Sequence, residues 1–201
     1  MQTTIDYYNE KAKEFVAGTV NVEFHHMQDQ FLKLLSEHAL ILDFGCGSGR
    51  DTKYFLEQGF QVEAVDGSEE LCKIASEYTG ISVKHELFQE LNESEKYDGL
   101  WACASILHVK KQELPDVFCR MSRAVKCGGI IYVSFKYGEF EGERNGRYFT
   151  DLTEETAAEL LKAVPELQVM KQWITGDVRA ERRDERWLNL ILRKGDKFIL
   201  R

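Results

Sequence analysis

The residues that are best suited to bind a ligand form a glycine-rich turn, residues 45–49, with the sequence GCGSG. This turn directly follows an apolar run, residues 39–44, whose composition is typical of a strand that is buried on both faces of a sheet. Residues 50–58 then have the pattern of a helix. Glycine lets the backbone turn sharply and lets a ligand approach it closely. The order strand, glycine turn, helix therefore predicts a ligand at the carboxyl end of this strand.

An acidic residue, Asp66, closes the next predicted strand and is followed by Gly67 and Ser68. A carboxylate at this place can accept hydrogen bonds from both hydroxyls of a ribose. An acid near a helix N-terminus can also be only a partner of the helix dipole. Dinucleotide-binding turns carry a third glycine that packs the helix on the strand. Arg50 occupies that place here, so the pattern fits a dinucleotide poorly.

Short apolar runs alternate with amphipathic stretches, which predicts an α/β protein with a doubly wound, seven-stranded and mostly parallel sheet. We expect strands at residues 39–44, 61–65, 81–87, 97–105, 130–136, 169–175 and 187–193, with an antiparallel strand at one edge. We expect helices at residues 5–17, 22–37, 50–58, 69–78, 112–126 and from 153 to a point before Pro165. Residues 137–149 are expected to be a polar loop, and residues 195–201 either a last strand or a tail.

Composition limits the classes of protein to which this chain can belong. The 201 residues suggest one domain, and the net charge of −8 disfavours nonspecific binding to nucleic acid or to anionic membranes. The five cysteines form no CxxC pair, which favours reduced thiols in a cytoplasm. We see no signal peptide, no apolar run of the roughly 20 residues needed to span a bilayer, and no cluster with metal-ligand spacing. We expect no membrane association and no metal.

The motifs resemble those of the class I S-adenosylmethionine-dependent methyltransferases, strongly over residues 38–136 and in outline elsewhere. The family's first motif is similar to residues 42–49 (LDFGCGSG), its second-strand acid to Asp66, and its fourth-strand motif to residues 97–108 (YDGLWACASILH). The turn into its fifth strand resembles residues 126–130 (KCGGI), with cysteine where proline is common. The resemblance implies a Rossmann-like methyltransferase fold in a single domain, with a helical lid at residues 1–38, a cofactor-binding half at 39–136 and a substrate-side half at 137–201.

The same resemblance implies that the cofactor is S-adenosyl-L-methionine and that the product is S-adenosyl-L-homocysteine. The backbone of Gly45 and Gly47 would line the methionine portion, and Asp66 would bind the ribose. Asp43 would either hold the loop or meet the cofactor's ammonium group through water. The other candidates for cofactor binding are Tyr8, Gly67, Ser68, Leu87, Phe88, Ala104 and Ser105. An acid usually meets the adenine amino group in this family, and the nearest ones here are Glu86 and Glu90.

Residues that could act on the acceptor lie mostly outside the cofactor-binding half. His108 could be a general base or have a structural role, and Tyr137 is a second catalytic candidate. The candidates for substrate binding are Phe15, Thr19, Arg144, Arg147 and Arg179. Planar arginines suit carboxylates or phosphates, so an anionic acceptor is one interpretation of them. Glu181, Asp184 and Glu185 lie among the later arginines, so a solvated charged loop is the alternative.

The expected reaction is an in-line displacement at the cofactor's methyl group. Residues 104–107 (ASIL) replace the Asn/Asp-Pro-Pro-aromatic motif of amino-directed nucleic-acid methyltransferases, and the Pro-Cys nucleophile of cytosine-C5 enzymes is also missing. We therefore expect a small-molecule acceptor and a monomer or homodimer that resembles compact bacterial methyltransferases, including those directed at tellurite or thiols. The alternatives are a tRNA or protein methyltransferase, a cofactor-binding module without catalysis, and, last, a nucleotide-dependent dehydrogenase.

Overall fold

A computed structural model describes residues 2–179, 182 and 184–195, and these residues form seven helices and nine strands. The helices are α1 (Gln2–Glu10), α2 (Ala12–Ala17), α3 (His25–Leu32), α4 (Arg50–Glu57), α5 (Glu69–Thr79), α6 (Leu114–Ala124) and α7 (Glu154–Leu161). The strands are β1 (Leu40–Phe44), β2 (Gln61–Asp66), β3 (Val83–His85), β4 (Tyr97–Ala102), β5 (Val125–Lys136), β6 (Glu141–Arg144), β7 (Arg147–Thr150), β8 (Leu167–Gly176) and β9 (Arg186–Lys194). Single helical turns lie at Phe88–Glu90 and Ile106–His108.

Seven strands form one sheet in the order β3-β2-β1-β4-β5-β9-β8. The pairs from β3 to β5 are parallel, whereas β9 is antiparallel to both β5 and the edge strand β8. The predicted doubly wound sheet with antiparallel pairing at one edge is therefore confirmed. Among the described residues, the structure contains no helix that is both long and apolar enough to cross a membrane.

The prediction of a polar loop at residues 137–149 is wrong, because β6 and β7 form an antiparallel hairpin there. Phe149 and Thr150 are buried, and the Thr150 hydroxyl donates to the carbonyl oxygen of Val109 at 2.7 Å. The opposite side of the hairpin is exposed, which explains why its composition is that of a loop. The hairpin thus packs beside the helical turn Ile106–His108 and contributes to the site.

Several predicted boundaries also change. The second N-terminal helix, expected at residues 22–37, is shorter, and the third strand contains only three residues. Strand β5 begins before its glycines, since Val125 already pairs with Tyr97 across an irregularity in the register. The expectations for Glu181 and for residues 196–201 lie outside the described residues.

The sheet carries a core on each face and brings three loop regions to one edge. Trp101 stacks on Tyr132 on the side of α3 and α4, with ring centroids 4.0 Å apart, whereas Leu100 packs with Phe118 of α6 on the other side. Parallel register places Phe44 beside Val65. The loops that follow β1, β2 and β4 therefore lie next to one another, at the edge where open α/β sheets bind ligands.

Candidate active site

The loop after β1 needs glycine because of its conformation and its surroundings. Gly45 has a φ of 88°, and a Cβ on it would lie 2.5 Å from the Cβ of Ser105. Gly47 has a φ of 55°, and a Cβ there would meet the ring of Phe15 at 3.1 Å. The amides of Gly45 and Cys46 both donate to the carbonyl oxygen of Val65, at 2.9 and 3.0 Å. The loop therefore lies between Phe15 of α2 on one side and the loop after β4 on the other.

Asp66 fixes this loop through its carboxylate. One of its oxygens accepts from the amide of Gly47 at 2.9 Å, and the other accepts from the amide of Ser68 at 2.8 Å. Ser68 caps α5, since its hydroxyl accepts from the amide of Leu71. Burial raises the pKa of Asp66, although the backbone amides oppose that shift. Each carboxylate oxygen retains a lone pair for a further donor, such as a ribose hydroxyl.

A cavity of about 620 Å³ extends from Asp66 to the loop after β4, and we call it the cofactor cavity. Ten of the eleven predicted cofactor-binding residues line it: Tyr8, Gly45, Gly47, Asp66, Gly67, Ser68, Leu87, Phe88, Ala104 and Ser105. His108 and Phe15 line it as well. Three further residues, Thr4, Ile5 and Leu71, line this cavity and were not predicted. Thr4 and Ile5 are distant from the motifs in the chain, whereas Leu71 lies in the first turn of α5, three residues after Ser68.

Asp43 is the predicted cofactor-binding residue that is not part of this lining. Its side chain is buried and accepts from the hydroxyl of Thr52 on α4 at 2.6 Å. Burial and the nearby Asp51 raise the pKa of Asp43. Of the two roles considered for it, this position fits that of holding the loop and α4 together.

The two acids near the expected adenine position differ in placement. Glu86 is buried and lines the cofactor cavity, where it forms an ion pair with the exposed Lys84. Glu90 instead accepts from the amide of Leu87 at 2.8 Å and caps a helical turn. Glu86 is therefore the acid within reach of a ligand in this cavity.

A second cavity of about 1090 Å³ adjoins the first, and we call it the acceptor cavity. Among the predicted substrate-binding residues, Phe15, Thr19, Arg147 and Arg179 line it. Arg144 does not: it forms an ion pair with Asp151 and lies over the ring of Phe140. Six residues line both cavities, and they are Tyr8, Phe15, Gly45, Gly47, Ala104 and His108.

Tyr8 and His108 form a hydrogen-bonded pair in this shared wall. The Nδ1 atom of His108 lies 2.6 Å from the carbonyl oxygen of Tyr148, which can only accept, so Nδ1 carries the proton. The other ring nitrogen, Nε2, then accepts from the Tyr8 hydroxyl at 2.9 Å. Burial, together with the charges of Arg147 and Lys136, lowers the pKa of His108 to about 4. Burial raises the pKa of Tyr8. Both side chains are therefore neutral near pH 7.

Tyr137, the other catalytic candidate, lies outside the lining of both cavities. A hydrogen bond to Glu154 raises the pKa of its hydroxyl, and the guanidinium of Arg186 lies 5.3 Å from its ring centroid. Its sequence position, one residue after β5, is near the site, but its contacts are with α7 and β9. The structure therefore does not bring Tyr137 to the reacting atoms.

The described residues contain no group of three or more His, Cys, Asp or Glu side chains arranged to hold a metal ion. The residues that line the two cavities include hydroxyl side chains, carboxylates, His108, Lys136 and several arginines.

Comparisons with known proteins agree with this geometry. Residues 41–129 match the methyltransferase domain family. The chain is 25% identical over 179 residues to an uncharacterized methyltransferase of Staphylococcus carnosus, covering 82% of this chain and 86% of that protein. It is 29% identical over 112 residues to the malonyl-[acyl-carrier protein] O-methyltransferase of Salmonella typhimurium, covering 53% of this chain and 43% of that enzyme.

Among solved structures, the fold is similar to that of 1,6-didemethyltoxoflavin-N1-methyltransferase of Burkholderia thailandensis, with a TM-score of 0.79 and 22% identity over 97% of this chain and 88% of that chain. That enzyme was crystallised with 1,6-didemethyltoxoflavin and S-adenosylhomocysteine. The glycine loop, Asp66, the sheet order and the matched residues together define the class: the chain carries a class I S-adenosylmethionine-dependent methyltransferase domain.

The cofactor cavity fits S-adenosylmethionine in shape and in chemistry. The glycine loop leaves open the space that a Cβ at Gly45 or Gly47 would fill. Asp66 can accept from the ribose hydroxyls, and Leu87 and Phe88 offer apolar surface to the adenine. These residues would hold the cofactor with its methionine end toward Ala104 and Ser105.

Proposed function

We propose that this methyltransferase acts on a small molecule that binds in the acceptor cavity. One observation carries the proposal: the cofactor and acceptor cavities meet at a shared wall that includes Tyr8, Ala104 and His108. Bound S-adenosylmethionine supplies a methyl group whose carbon is electrophilic because it is attached to a sulfonium sulfur. A nucleophile attacks that carbon in line with the carbon–sulfur bond. A nucleophile at the shared wall would therefore face that methyl group, and such alignment is a large part of what the protein can contribute to the rate.

The chain's own residues support three roles. Phe15 packs edge-on against Tyr8, with ring centroids 5.1 Å apart, and together they close the junction against water. The neutral pair of Tyr8 and His108 fixes the position of the lid helix at the junction. Arg147 brings positive charge to the acceptor cavity, which favours an acceptor that carries negative charge.

A binding site between the lid and the loops of the sheet supports a small molecule over a macromolecule. The acceptor cavity is lined by side chains of α2, of the loop after β1 and of the hairpin strand β7, which surround a ligand on several sides. None of the five cysteines forms a disulfide with another, which supports a reducing compartment such as the cytoplasm.

The test is to incubate the pure protein with methyl-labelled cofactor and an extract of cells that lack this protein. We expect label in the small-molecule fraction. The Asp66→Ala variant is the matched control, because it keeps the acceptor cavity and weakens the cofactor site. Label in RNA or in protein would refute a small-molecule acceptor. Bound cofactor without any transfer would favour a module that lacks catalysis.

A further inference from the structure

We propose that the acceptor binds and reacts as an anion, and that Arg147 holds its negative charge beside the transferred methyl group. The chemical class is an acid that is ionised near neutral pH: a carboxylate, a phenolate or the conjugate base of an acidic ring N–H. This inference rests on the proposed function, and it adds the charge state of the acceptor and the residue that recognises it.

Arg147 is positioned at the junction by aromatic rings. It begins β7, and its guanidinium carbon lies 4.8 Å from the ring centroid of Tyr7 and 5.2 Å from that of Phe149. One terminal nitrogen lies 3.4 Å from the Tyr8 hydroxyl. The guanidinium therefore lies beside the shared wall, held in place by packing rather than by a carboxylate.

The ion pairing of Arg147 differs from that of three other cations in the acceptor cavity, Arg50, Lys136 and Arg179. Arg50 is bound by Asp51, Arg179 by Asp177 in a bidentate pair, and Lys136 by Glu185. Within the described part of the chain, Arg147 has no carboxylate partner, and its Nε atom is buried without a hydrogen-bond partner.

A buried N–H of a charged group is costly to leave unsatisfied. The planar fork of an arginine matches an oxyanion. An anionic acceptor in the cavity that Arg147 lines would supply the opposite charge that this guanidinium lacks among the described residues.

Among the residues that the structure describes, the acceptor cavity also offers no free base for a neutral acceptor. His108 is uncharged, and its Nε2 already accepts from Tyr8. The carboxylates in the described lining are Asp51 and Asp177, and each is bound by an arginine. A neutral alcohol or an ammonium group would have to lose a proton with no group placed to take it. An acceptor that arrives as an anion has already given that proton to solvent.

The reaction then balances without a base. A lone pair on the anionic atom forms the bond to the methyl carbon while the bond from that carbon to sulfur breaks. The electron pair of the broken bond stays on sulfur, which becomes a neutral thioether. The acceptor loses its negative charge as the sulfonium loses its positive charge, and no proton is transferred. Arg147 holds the acceptor's negative charge until the new bond forms.

The experiment divides a small-molecule extract of cells lacking this protein on an anion-exchange column at pH 7. Retained and unretained fractions are each incubated with enzyme and methyl-labelled cofactor. We expect the labelled product to come from the retained fraction. Arg147→Met keeps a long apolar stem over Tyr7 and removes the charge. We expect this variant to need about tenfold to a hundredfold more of that fraction for half-maximal rate, the effect of losing hydrogen bonds to a charged group.

Two measurements separate acceptor binding from folding and from cofactor binding. Affinity for S-adenosylhomocysteine, measured by calorimetry, should be the same in Arg147→Met as in the wild type. The retained fraction should raise the melting temperature of the wild-type complex with S-adenosylhomocysteine but not that of the variant. Arg193→Gln is the matched control, because Arg193 is an exposed arginine on β9 outside both cavities. It should behave as the wild type.

Each outcome decides the proposal. Acceptor activity only in the unretained fraction would overturn the anionic acceptor and leave the small-molecule function intact. An unchanged half-maximal concentration in Arg147→Met would overturn the role of Arg147. If that variant fails to bind S-adenosylhomocysteine, Arg147→Lys is used in its place. Lysine keeps the charge but lacks the planar pair of donors, so we expect a smaller but measurable increase in the half-maximal concentration of the retained fraction. An unchanged half-maximal concentration in Arg147→Lys would also overturn the role of Arg147. Label in macromolecules would instead refute the proposed function itself.

Discussion

The neutral state of His108 predicts a specific loss of stability in acid. Its pKa is about 4 in the folded protein, against an ordinary value of 6.5. The unfolded chain therefore binds the proton more readily, and the free energy of unfolding falls as the pH drops. The contribution of this group is fully present above about pH 6.5 and is lost as the pH approaches about 4.

The magnitude follows from these two pKa values. Linkage between them gives a loss of about 2 kcal/mol from this histidine alone between pH 7 and pH 5. Other groups titrate over the same range, so the effect must be measured as a difference between proteins. His108→Asn removes the titrating ring, and its amide can still donate to the carbonyl oxygen of Tyr148.

The assay is equilibrium unfolding in urea at pH 7 and pH 5, for the wild type, for His108→Asn and for His26→Asn. His26 is an exposed histidine on α3 and controls for the loss of an imidazole. We expect the variant at position 108 to be less stable at pH 7 and to lose about 2 kcal/mol less than the wild type on acidification. An equal pH dependence in the wild type and His108→Asn would refute the buried neutral state of His108, and with it the argument that the site lacks a base.

Two further predictions concern the cofactor cavity. Asp66→Ala should weaken binding of S-adenosylhomocysteine by about 1–3 kcal/mol, because it leaves ribose hydroxyls and buried backbone amides without an acceptor; an unchanged affinity in calorimetry would refute the ribose assignment. Gly45→Ala should lower the melting temperature and abolish S-adenosylhomocysteine binding, because the new Cβ would lie 2.5 Å from the Cβ of Ser105. Gly59→Ala has a similar positive φ but open space around it, so it measures the backbone strain without the clash. Equal behaviour of the two glycine variants would contradict the steric argument.

The cofactor half was predictable from the sequence because its requirements are local. A strand that must turn at once into a helix around a ligand needs glycines at fixed places, and Asp66 reaches the loop through the adjacent strand of a parallel sheet. These constraints leave a pattern within a few residues. By contrast, Thr4 and Ile5 line the same cavity because α1, which is distant in the chain, packs over it. No sequence pattern near these two residues predicts that contact.

The arginines show the limit of sequence reasoning most clearly. The sequence alone does not distinguish Arg144, Arg147 and Arg179, because each carries a guanidinium that can bind an anion. What separates them is the opposing carboxylate: Asp151 faces Arg144, Asp177 faces Arg179, and aromatic rings surround Arg147. The hairpin that carries Arg147 was itself expected to be a loop, because one exposed face gives it a polar composition.

Tyr8 contributes to the walls of both cavities, which ties two binding equilibria together. A ligand that shifts this ring in one cavity alters the shape of the other. By thermodynamic linkage, the factor by which the cofactor changes the affinity for the acceptor equals the factor by which the acceptor changes the affinity for the cofactor. The same equality holds for the demethylated cofactor and the methylated product. Each pair, before and after transfer, therefore has its own coupling free energy, and Tyr8 is a residue in contact with both members of the pair.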